Sequence, residues 1–162
     1  MKTAYLGLGS NLGDREANLR DALERIESAG IRIVRRSSIY ETEPRDLPDQ
    51  PWFLNAVVEV ETDLFPLQLL AGVQNIEREM GRRRVTPKGP RNIDIDILFY
   101  GRSVIATADF QVPHPRMAER RFVLEPLSEI APDFRHPVTG KTAREMLASL
   151  DPQGVRRLNI TL

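Results

Sequence analysis

Two amphipathic helical stripes, each enclosed by stretches with the pattern of β-strands, constrain the fold of this 162-residue chain more than any other feature. Apolar residues recur at helical spacing over residues 19–26, and Gly30 stands where that helix would end. A second stripe covers residues 69–80 and is closed by Gly81. Four segments have the apolar pattern of strands: residues 3–9, 31–40, 54–60 and 93–100.

The resulting order, β-α-β-β-α-β, predicts a ferredoxin-like α+β fold with a mainly antiparallel sheet and helices packed on it. The last third of the chain adds two short helices and a strand with weaker patterns: residues 122–130, 142–150 and 155–158. A length of 162 residues suits one core of ordinary size, so we expect residues 1–162 to form a single domain.

The overall charge gives no indication of a nucleic-acid or membrane partner, because 23 basic side chains balance 23 acidic ones. The absence of cysteine excludes disulfides, thiolate nucleophiles and zinc–thiolate sites. The apolar run at residues 4–8 is too short for a signal peptide, and no stretch approaches the length of a membrane span. We therefore expect a cytoplasmic globular protein without nucleic-acid or membrane partners, and we expect it to be a monomer.

Two aspartates, Asp94 and Asp96, alternate with isoleucines in the fourth strand pattern. Aspartate is disfavoured in strands, and a period of two places both carboxylates on one face and the isoleucines on the other. Carboxylates held this close repel each other unless a cation lies between them, and hard oxygen ligands suit Mg²⁺. A solvated polar strand face is the alternative interpretation, and the neighbouring arginines favour the metal.

Basic residues are concentrated on both sides of this strand. Residues 82–91 contain four arginines and one lysine without an acid, and Arg116, Arg120 and Arg121 follow a little later. Guanidinium groups match phosphate oxygens and Mg²⁺ bridges them, so the combination indicates a polyphosphate ligand. A solvated basic loop is the more common reason for such a run, and the charges alone leave both interpretations open.

Familiar nucleotide-binding motifs are absent, because the chain has neither a P-loop nor the glycine-rich loop of protein kinases. The glycine-rich segment at residues 7–13 is interpreted as a tight turn with left-handed positions. Gln74 and Glu77 lie three residues apart, off the apolar stripe of the second helix. Contact with a nucleotide and simple solvent exposure are both compatible with that placement.

Five segments resemble, in order along the chain, the motifs of the 6-hydroxymethyl-7,8-dihydropterin pyrophosphokinases. They are Tyr-Leu-Gly-Leu-Gly-Ser-Asn-Leu-Gly at residues 5–13, Phe-Leu-Asn-Ala at residues 53–56, Gln74 with Glu77, Gly-Pro-Arg at residues 89–91 leading to Asp94 and Asp96, and Val-Pro-His-Pro at residues 112–115. The resemblance implies an ATP-dependent, Mg²⁺-requiring enzyme of folate biosynthesis. Such an enzyme transfers pyrophosphate from ATP to the hydroxymethyl group of the pterin and releases AMP.

The resemblance also implies roles for individual residues. Asp94 and Asp96 match carboxylates that hold two Mg²⁺ ions, and Arg82 and Arg91 match arginines at the reacting phosphates. Positions that match the ATP site are Gln74, Glu77, Arg84, Ile97, His114 and Arg120. Positions that match the pterin pocket are Thr42, Pro44, Asn55 and two phenylalanines that enclose the ring, Phe53 and Phe122.

Two other functions remain open at this point. A metal-dependent phosphohydrolase or nuclease could use the same Asp-x-Asp pair, and it would act without a pterin. A ferredoxin-like RNA-binding module is the non-enzymatic alternative, and the net charge of zero and the lack of an exposed aromatic RNA-binding signature argue against it.

Overall fold

The computed structural model of the chain describes residues 1–44, 49–81 and 91–162. Within these ranges, an antiparallel sheet of six strands carries helices on both faces. In chain order the elements are β1 (Lys2–Ser10), α1 (Arg15–Ser28), β2 (Arg32–Arg36), β3 (Ser38–Thr42), β4 (Phe53–Thr62), α2 (Pro66–Glu79), β5 (Asp94–Tyr100), β6 (Ile105–Ala106), β7 (Gln111–Val112), a 3-10 turn (Met117–Glu119), α3 (Arg121–Ile130), α4 (Ala143–Ala148) and β8 (Val155–Thr161).

The strand order confirms the ferredoxin-like prediction. The sheet runs β5-β1-β4-β3-β8, and β2 also pairs with β4. β2 and β3 are two parts of the single strand expected over residues 31–40, and they are interrupted at Ser37. There the amide of Val57 donates to the Ser37 hydroxyl at 2.9 Å, so a side chain replaces a ladder acceptor and the pairing shifts.

The two long helices begin and end at residues suited to helix termini. The carboxylate of Asp14 accepts the amide of Ala17 at 3.1 Å and caps α1, and Gly30 follows it with a φ of +81°. Pro66 opens α2, and the Gln68 side chain accepts the Phe65 amide at 2.8 Å. The apolar stripes predicted from the sequence are the buried faces of both helices.

Successive side chains of each strand point to opposite faces, so the sheet has two cores. On one face, Leu6, Ile95 and Ile97 pack with the stripes of α1 and α2. On the other face, Tyr5 and Phe99 pack with α3 and α4. Helices therefore cover both faces of the sheet, and in the part of the chain described here no helix is long and apolar enough to span a membrane.

One local expectation is wrong, and two further features are settled by the structure alone. Gly7 and Gly9 lie inside β1 in extended conformation, and only Gly13 of that motif is left-handed, with a φ of +75°. Glu77 is buried rather than exposed, because its carboxylate accepts the Ile95 amide at 2.8 Å and fastens α2 to β5. The short pair β6 and β7 had no counterpart in the sequence patterns, since two-residue strands are too short to show a period.

Glu129 attaches α3 to the sheet. Its carboxylate accepts hydrogen bonds from the amide and hydroxyl of Ser38, at 3.0–3.1 Å, and from the hydroxyl of Tyr40 at 2.9 Å. Burial and then this hydrogen bond raise the pKa of Tyr40 well above its ordinary value. The carboxylate thus satisfies three donors that the packing of α3 on β3 removes from water.

Replacing Glu129 by alanine is expected to reduce the free energy of unfolding by about 1–3 kcal/mol, because buried donors lose their acceptor. Glu16→Ala is the control, since it breaks only the exposed pair with Arg20 and should cost about 0.3–0.5 kcal/mol. Urea denaturation of both variants measures the difference. Equal losses would show that Glu129 contributes no more than a surface charge.

Candidate active site

A cavity of about 440 Å³ lies on the α3 side of the sheet, beside the start of that helix. Its floor is formed by alternate residues of three neighbouring strands. Gly7 and Gly9 of β1 lie in the middle, and the register places Asn55 of β4 and Asp94 of β5 on either side of Gly9. Arg120 and Phe122 form part of the opposite wall. The ferredoxin-like topology therefore joins distant sequence motifs in one concave site.

The two glycines of β1 create the space. A Cβ atom on Gly9 would lie 2.7 Å from Oδ1 of Asn55, closer than real side chains approach. A Cβ atom on Gly7 would be 3.5 Å from Leu98, which is ordinary contact. Gly9 was missed as a site residue, although two glycines at a spacing of two in a strand pattern mark a surface that backbone alone can provide.

The carboxylates lie at one end of the floor. Asp94 and Asp96 both line the cavity, while the intervening Ile95 is buried in the opposite core. Arg91 donates to Oδ2 of Asp94 at 3.1 Å in a half-buried ion pair. Among the described residues, no group of three or more histidine, cysteine, aspartate or glutamate side chains could hold a metal ion. The acidic end therefore offers two carboxylates and leaves further ligands to come from elsewhere.

Two arginines lie over two aromatic rings at the cavity. The guanidinium carbon of Arg91 is 5.6 Å from the ring centre of Phe53, and that of Arg120 is 5.4 Å from the ring centre of Phe122. Both rings are half-buried and line the cavity. Each pair combines a cation with an aromatic face, an arrangement that stabilises the position of both groups.

The polar part of the floor is held by one hydrogen bond between buried side chains. Asn55 donates from Nδ2 to the hydroxyl of Thr42 at 2.7 Å, and the two residues are 7% and 2% exposed. The bond fixes the carboxamide so that its Oδ1 lies against Gly9. Pro44 lines the cavity on the same side.

Asn11, which sequence reasoning assigned only to a turn, connects two walls of the cavity. Its backbone amide donates to the carbonyl of Arg91 at 3.0 Å, and its Oδ1 accepts the amide of Arg91 at 2.8 Å. Its Nδ2 donates to Oε1 of Gln50 at 2.8 Å and to the carbonyl of Pro51 at 3.0 Å. A buried asparagine in the glycine-rich motif is the signal that could have identified this role.

His114 interacts with three residues that line the cavity, Asp94, Arg116 and Arg120. Burial, together with the charge of Arg120, lowers the pKa of His114 to about 4, with Asp94 acting in the opposite direction. The imidazole is therefore neutral near pH 7, and its Nδ1 accepts the amide of Arg116 at 3.2 Å. Its proton accordingly resides on Nε2, which makes this atom a hydrogen-bond donor.

Three predicted residues that the structure describes, Gln74, Glu77 and Ile97, do not line the cavity. Gln74 is exposed on α2, and Ile97 is buried in the core on the opposite face of the sheet. Glu77 supports β5 from that same side through its bond to the Ile95 amide. Arg82 and Arg84 lie outside the described residues.

A cavity that joins carboxylates, arginines and a fixed amide offers the positioning and the charge compensation on which phosphoryl-transfer enzymes depend. The family model described as 7,8-dihydro-6-hydroxymethylpterin-pyrophosphokinase (HPPK) matches residues 5–132. The chain belongs to this family.

Individual proteins with similar sequences support the same family assignment. The 2-amino-4-hydroxy-6-hydroxymethyldihydropteridine pyrophosphokinase of Methylorubrum extorquens is 48% identical over 159 residues, which cover 98% of this chain and 99% of that protein. The Bacillus subtilis protein of the same name is 46% identical, covering 94% of this chain and 88% of its own length. The Pneumocystis carinii folic acid synthesis protein fol1 is 50% identical over 86% of this chain, and this match spans only 19% of that longer protein.

Solved structures show the same fold. Wild-type Plasmodium falciparum HPPK-DHPS with pteroate superposes with a TM-score of 0.74 and 18% identity, covering 91% of this chain and 42% of that one. Another structure of the wild-type protein gives a TM-score of 0.73 and 17% identity, covering 91% of this chain and 44% of that one. At such identities the likeness is one of fold.

Substituting Gly9 by alanine is expected to destabilise the protein by about 1–3 kcal/mol, because the hydrogen-bonded Asn55 amide cannot move away without losing Thr42. Gly72→Ala in α2 is the control, since a Cβ there meets nothing within 4 Å and should stabilise by about 0.5–1 kcal/mol. Denaturant unfolding measures both. NMR should show a shifted Asn55 side-chain amide in the first variant alone, and unchanged Asn55 signals would contradict the crowding.

Proposed function

We propose that this protein transfers pyrophosphate from ATP to 6-hydroxymethyl-7,8-dihydropterin, giving the pterin diphosphate and AMP, in folate biosynthesis. One observation carries the proposal. The same cavity has an acidic and arginine-rich end, at Asp94, Asp96 and Arg91, and an amide- and aromatic-lined part, at Asn55 and Phe122. A polyphosphate and a flat polar heterocycle need these two environments side by side.

The pterin half of the site follows from stacking and edge recognition. Phe53 and Phe122 offer half-buried ring faces to a flat bicyclic substrate, which gains from offset stacking. Asn55 carries both a donor and an acceptor and is fixed by Thr42, so it suits the edge of a pterin ring. Pro44 completes this side of the pocket.

The nucleotide half combines Asp94 and Asp96 with Arg91 and Arg120. Mg²⁺ is commonly bound by one or two carboxylates while phosphates and waters supply its other ligands, so a two-carboxylate site fits this ion. When bound at these carboxylates, Mg²⁺ would supply positive charge that offsets the charge of the phosphates. We propose two ions, as the family resemblance implies.

In the transfer itself, the pterin hydroxyl oxygen forms a bond to the β-phosphorus of ATP. The bond from that phosphorus to the oxygen that joins it to the α-phosphorus breaks, AMP leaves with the electron pair, and the hydroxyl proton is released to water. Arg91 and Arg120 would stabilise charge on the transferred group and the leaving phosphate, which is the main task of protein residues in phosphoryl transfer. A neutral His114 would donate from Nε2 to a phosphate oxygen.

The proposal also includes the roles that the family resemblance implies for five other residues. Arg82 would act with Arg91 on the reacting phosphates, and Arg84 would contact the nucleotide. Gln74, Glu77 and Ile97 would belong to the surroundings of the nucleotide, with Glu77 acting through β5. We further propose that residues 1–162 act as one domain, as a monomer in the cytoplasm, without nucleic-acid or membrane partners.

The two alternative functions, a phosphohydrolase or nuclease and an RNA-binding module, account for fewer of the observed features. A phosphohydrolase or nuclease would need the carboxylates and arginines, and it would leave the Asn55–Thr42 pair and the two aromatic rings without a ligand. An RNA-binding module of ferredoxin-like fold presents an open sheet face to RNA, whereas here α1 and α2 cover one face and α3 and α4 pack on the other.

The proposed reaction is tested by measuring AMP from ATP and Mg²⁺ with and without hydroxymethyldihydropterin. AMP and pterin diphosphate should form together, and only when the pterin is present. Asp96→Asn and Asp94→Asn should reduce turnover on the order of 10²–10³-fold while the melting temperature stays nearly unchanged. Asp133→Asn, at an exposed carboxylate far along the chain, is the control. Phosphate release without pterin would instead support the phosphohydrolase.

Leucine at either Phe53 or Phe122 should weaken pterin binding about 2- to 10-fold, the equivalent of ~0.5–1.5 kcal/mol of stacking. Affinity for an ATP analogue and the melting temperature should change little, because both rings are half-buried. Calorimetric titration of pterin in the presence of the analogue measures this. Phe65→Leu, at an exposed ring that precedes α2, is the control. Unchanged pterin affinity in both variants would place the pocket elsewhere.

A further inference from the structure

The start of α3 is capped by a side chain from the C-terminal part of the chain. Arg120, the residue before the helix, makes no side-chain capping bond of its own. Instead Gln153 accepts the amide of Arg121 with Oε1 at 3.1 Å and donates from Nε2 to the carbonyl of Glu119 at 3.2 Å. One carboxamide therefore hydrogen-bonds to the backbone on both sides of Arg120, and it satisfies a donor at the N-terminus of the helix.

The next residue, Gly154, hydrogen-bonds to the opposite wall of the cavity. The carbonyl of Gly154 accepts the amide of Glu43 at 2.9 Å, and the amide of Gly154 donates to Oε1 of Glu43 at 3.2 Å. Val155 then pairs with Thr42 in the β3–β8 ladder. Glu43 itself lines the cavity between Thr42 and Pro44.

We propose that Gln153 and Gly154 form a C-terminal clamp that sets the distance between the two walls of the active site. Through Gln153 the clamp positions Arg120 and Phe122, and through Gly154 it positions the segment from Thr42 to Pro44. The inference rests on the proposed function, since it assigns positioning residues to that reaction. Neither clamp residue lines the cavity itself.

The bonds of Gln153 explain why a glutamine is needed. Its carboxamide supplies an acceptor for one backbone group and a donor for another, and asparagine carries the same group on a side chain one methylene shorter. Methionine of similar length makes neither bond. Glutamate keeps only the acceptor for the Arg121 amide and turns a second oxygen towards the carbonyl of Glu119.

Gly154 can be tested separately. A Cβ atom there would lie 2.4–2.7 Å from the side chain of Glu43, so alanine must displace that carboxylate. The backbone of Gly154 is not left-handed, so alanine adds no conformational strain of its own. Gly154→Ala therefore breaks the bond to the Glu43 carboxylate and displaces that side chain at the cavity. The backbone bond from the Glu43 amide and the bonds of Gln153 stay in place.

The two variants are expected to differ in which substrate they affect. Gln153→Met should weaken both ATP-analogue and pterin binding and reduce kcat/KM roughly 10- to 100-fold, the scale of a small misplacement of binding groups. Gln153→Glu should recover part of that loss. Gly154→Ala should raise the pterin dissociation constant with little change for the ATP analogue. Binding is measured well below each variant's melting temperature, so that global unfolding does not contribute.

Gln68→Met is the matched control, because the Gln68 side chain also accepts a backbone amide at a helix start, outside the cavity. It should lower the melting temperature and leave both affinities unchanged. Faster amide hydrogen exchange at Arg121 in Gln153→Met would report loss of the clamp without any substrate.

Two results would overturn the inference. If the wild-type chain is active and the Gln153 and Gly154 variants bind the ATP analogue and the pterin as tightly as it does, the clamp is refuted and the proposed function is not. This holds whatever the stability of the variants. A wild-type chain without pterin-dependent AMP formation would refute the proposed function and the clamp's role in it together.

Discussion

The pairing of β1 with both of its neighbours is the constraint on which the site depends. Its register places Gly9 opposite Asn55 on one side and opposite Asp94 on the other, and places Gly7 beside Asp96. A slip of one residue would turn these side chains to the α1 and α2 face and bring Leu6, Leu8 and Ile95 into the cavity. The buried face of the sheet thus fixes the register, and the register assembles the site on the opposite face.

Charge within the cavity is compensated by specific partners. Arg91 serves three neighbours at once: its guanidinium pairs with Asp94 and lies over Phe53, and its backbone is held by Asn11. Because this arginine is itself mostly buried, its interaction with the carboxylate is screened less by solvent than a surface pair would be. The aromatic half and the charged half of the cavity are therefore coupled through one side chain.

Features with a periodic residue pattern could be predicted from the sequence, whereas contacts made by single side chains could not. Apolar periodicity identified α1, α2 and the strands around them, and the alternation at Asp94 and Asp96 gave the correct facing. The contact of Glu77 with β5 could not be predicted, because a carboxylate that accepts one amide of an adjacent strand has no periodic signature. The role of Gly9 in the site was missed for a related reason, since the space that it leaves can be seen only once Asn55 is paired opposite.

The C-terminal third shows the same limit most clearly. Its apolar patterns are weak, and yet Glu129 fastens α3 to β3 while Gln153 fixes the first residues of α3. Both act through side chains that bind backbone groups far away in sequence, and such bonds depend on position rather than on composition. A ferredoxin-like core can place strands and glycines, but Arg120 and Phe122 lie at the start of an added helix. The distance between that helix and the sheet must then be set by contacts such as these, because hydrophobic packing alone does not specify direction.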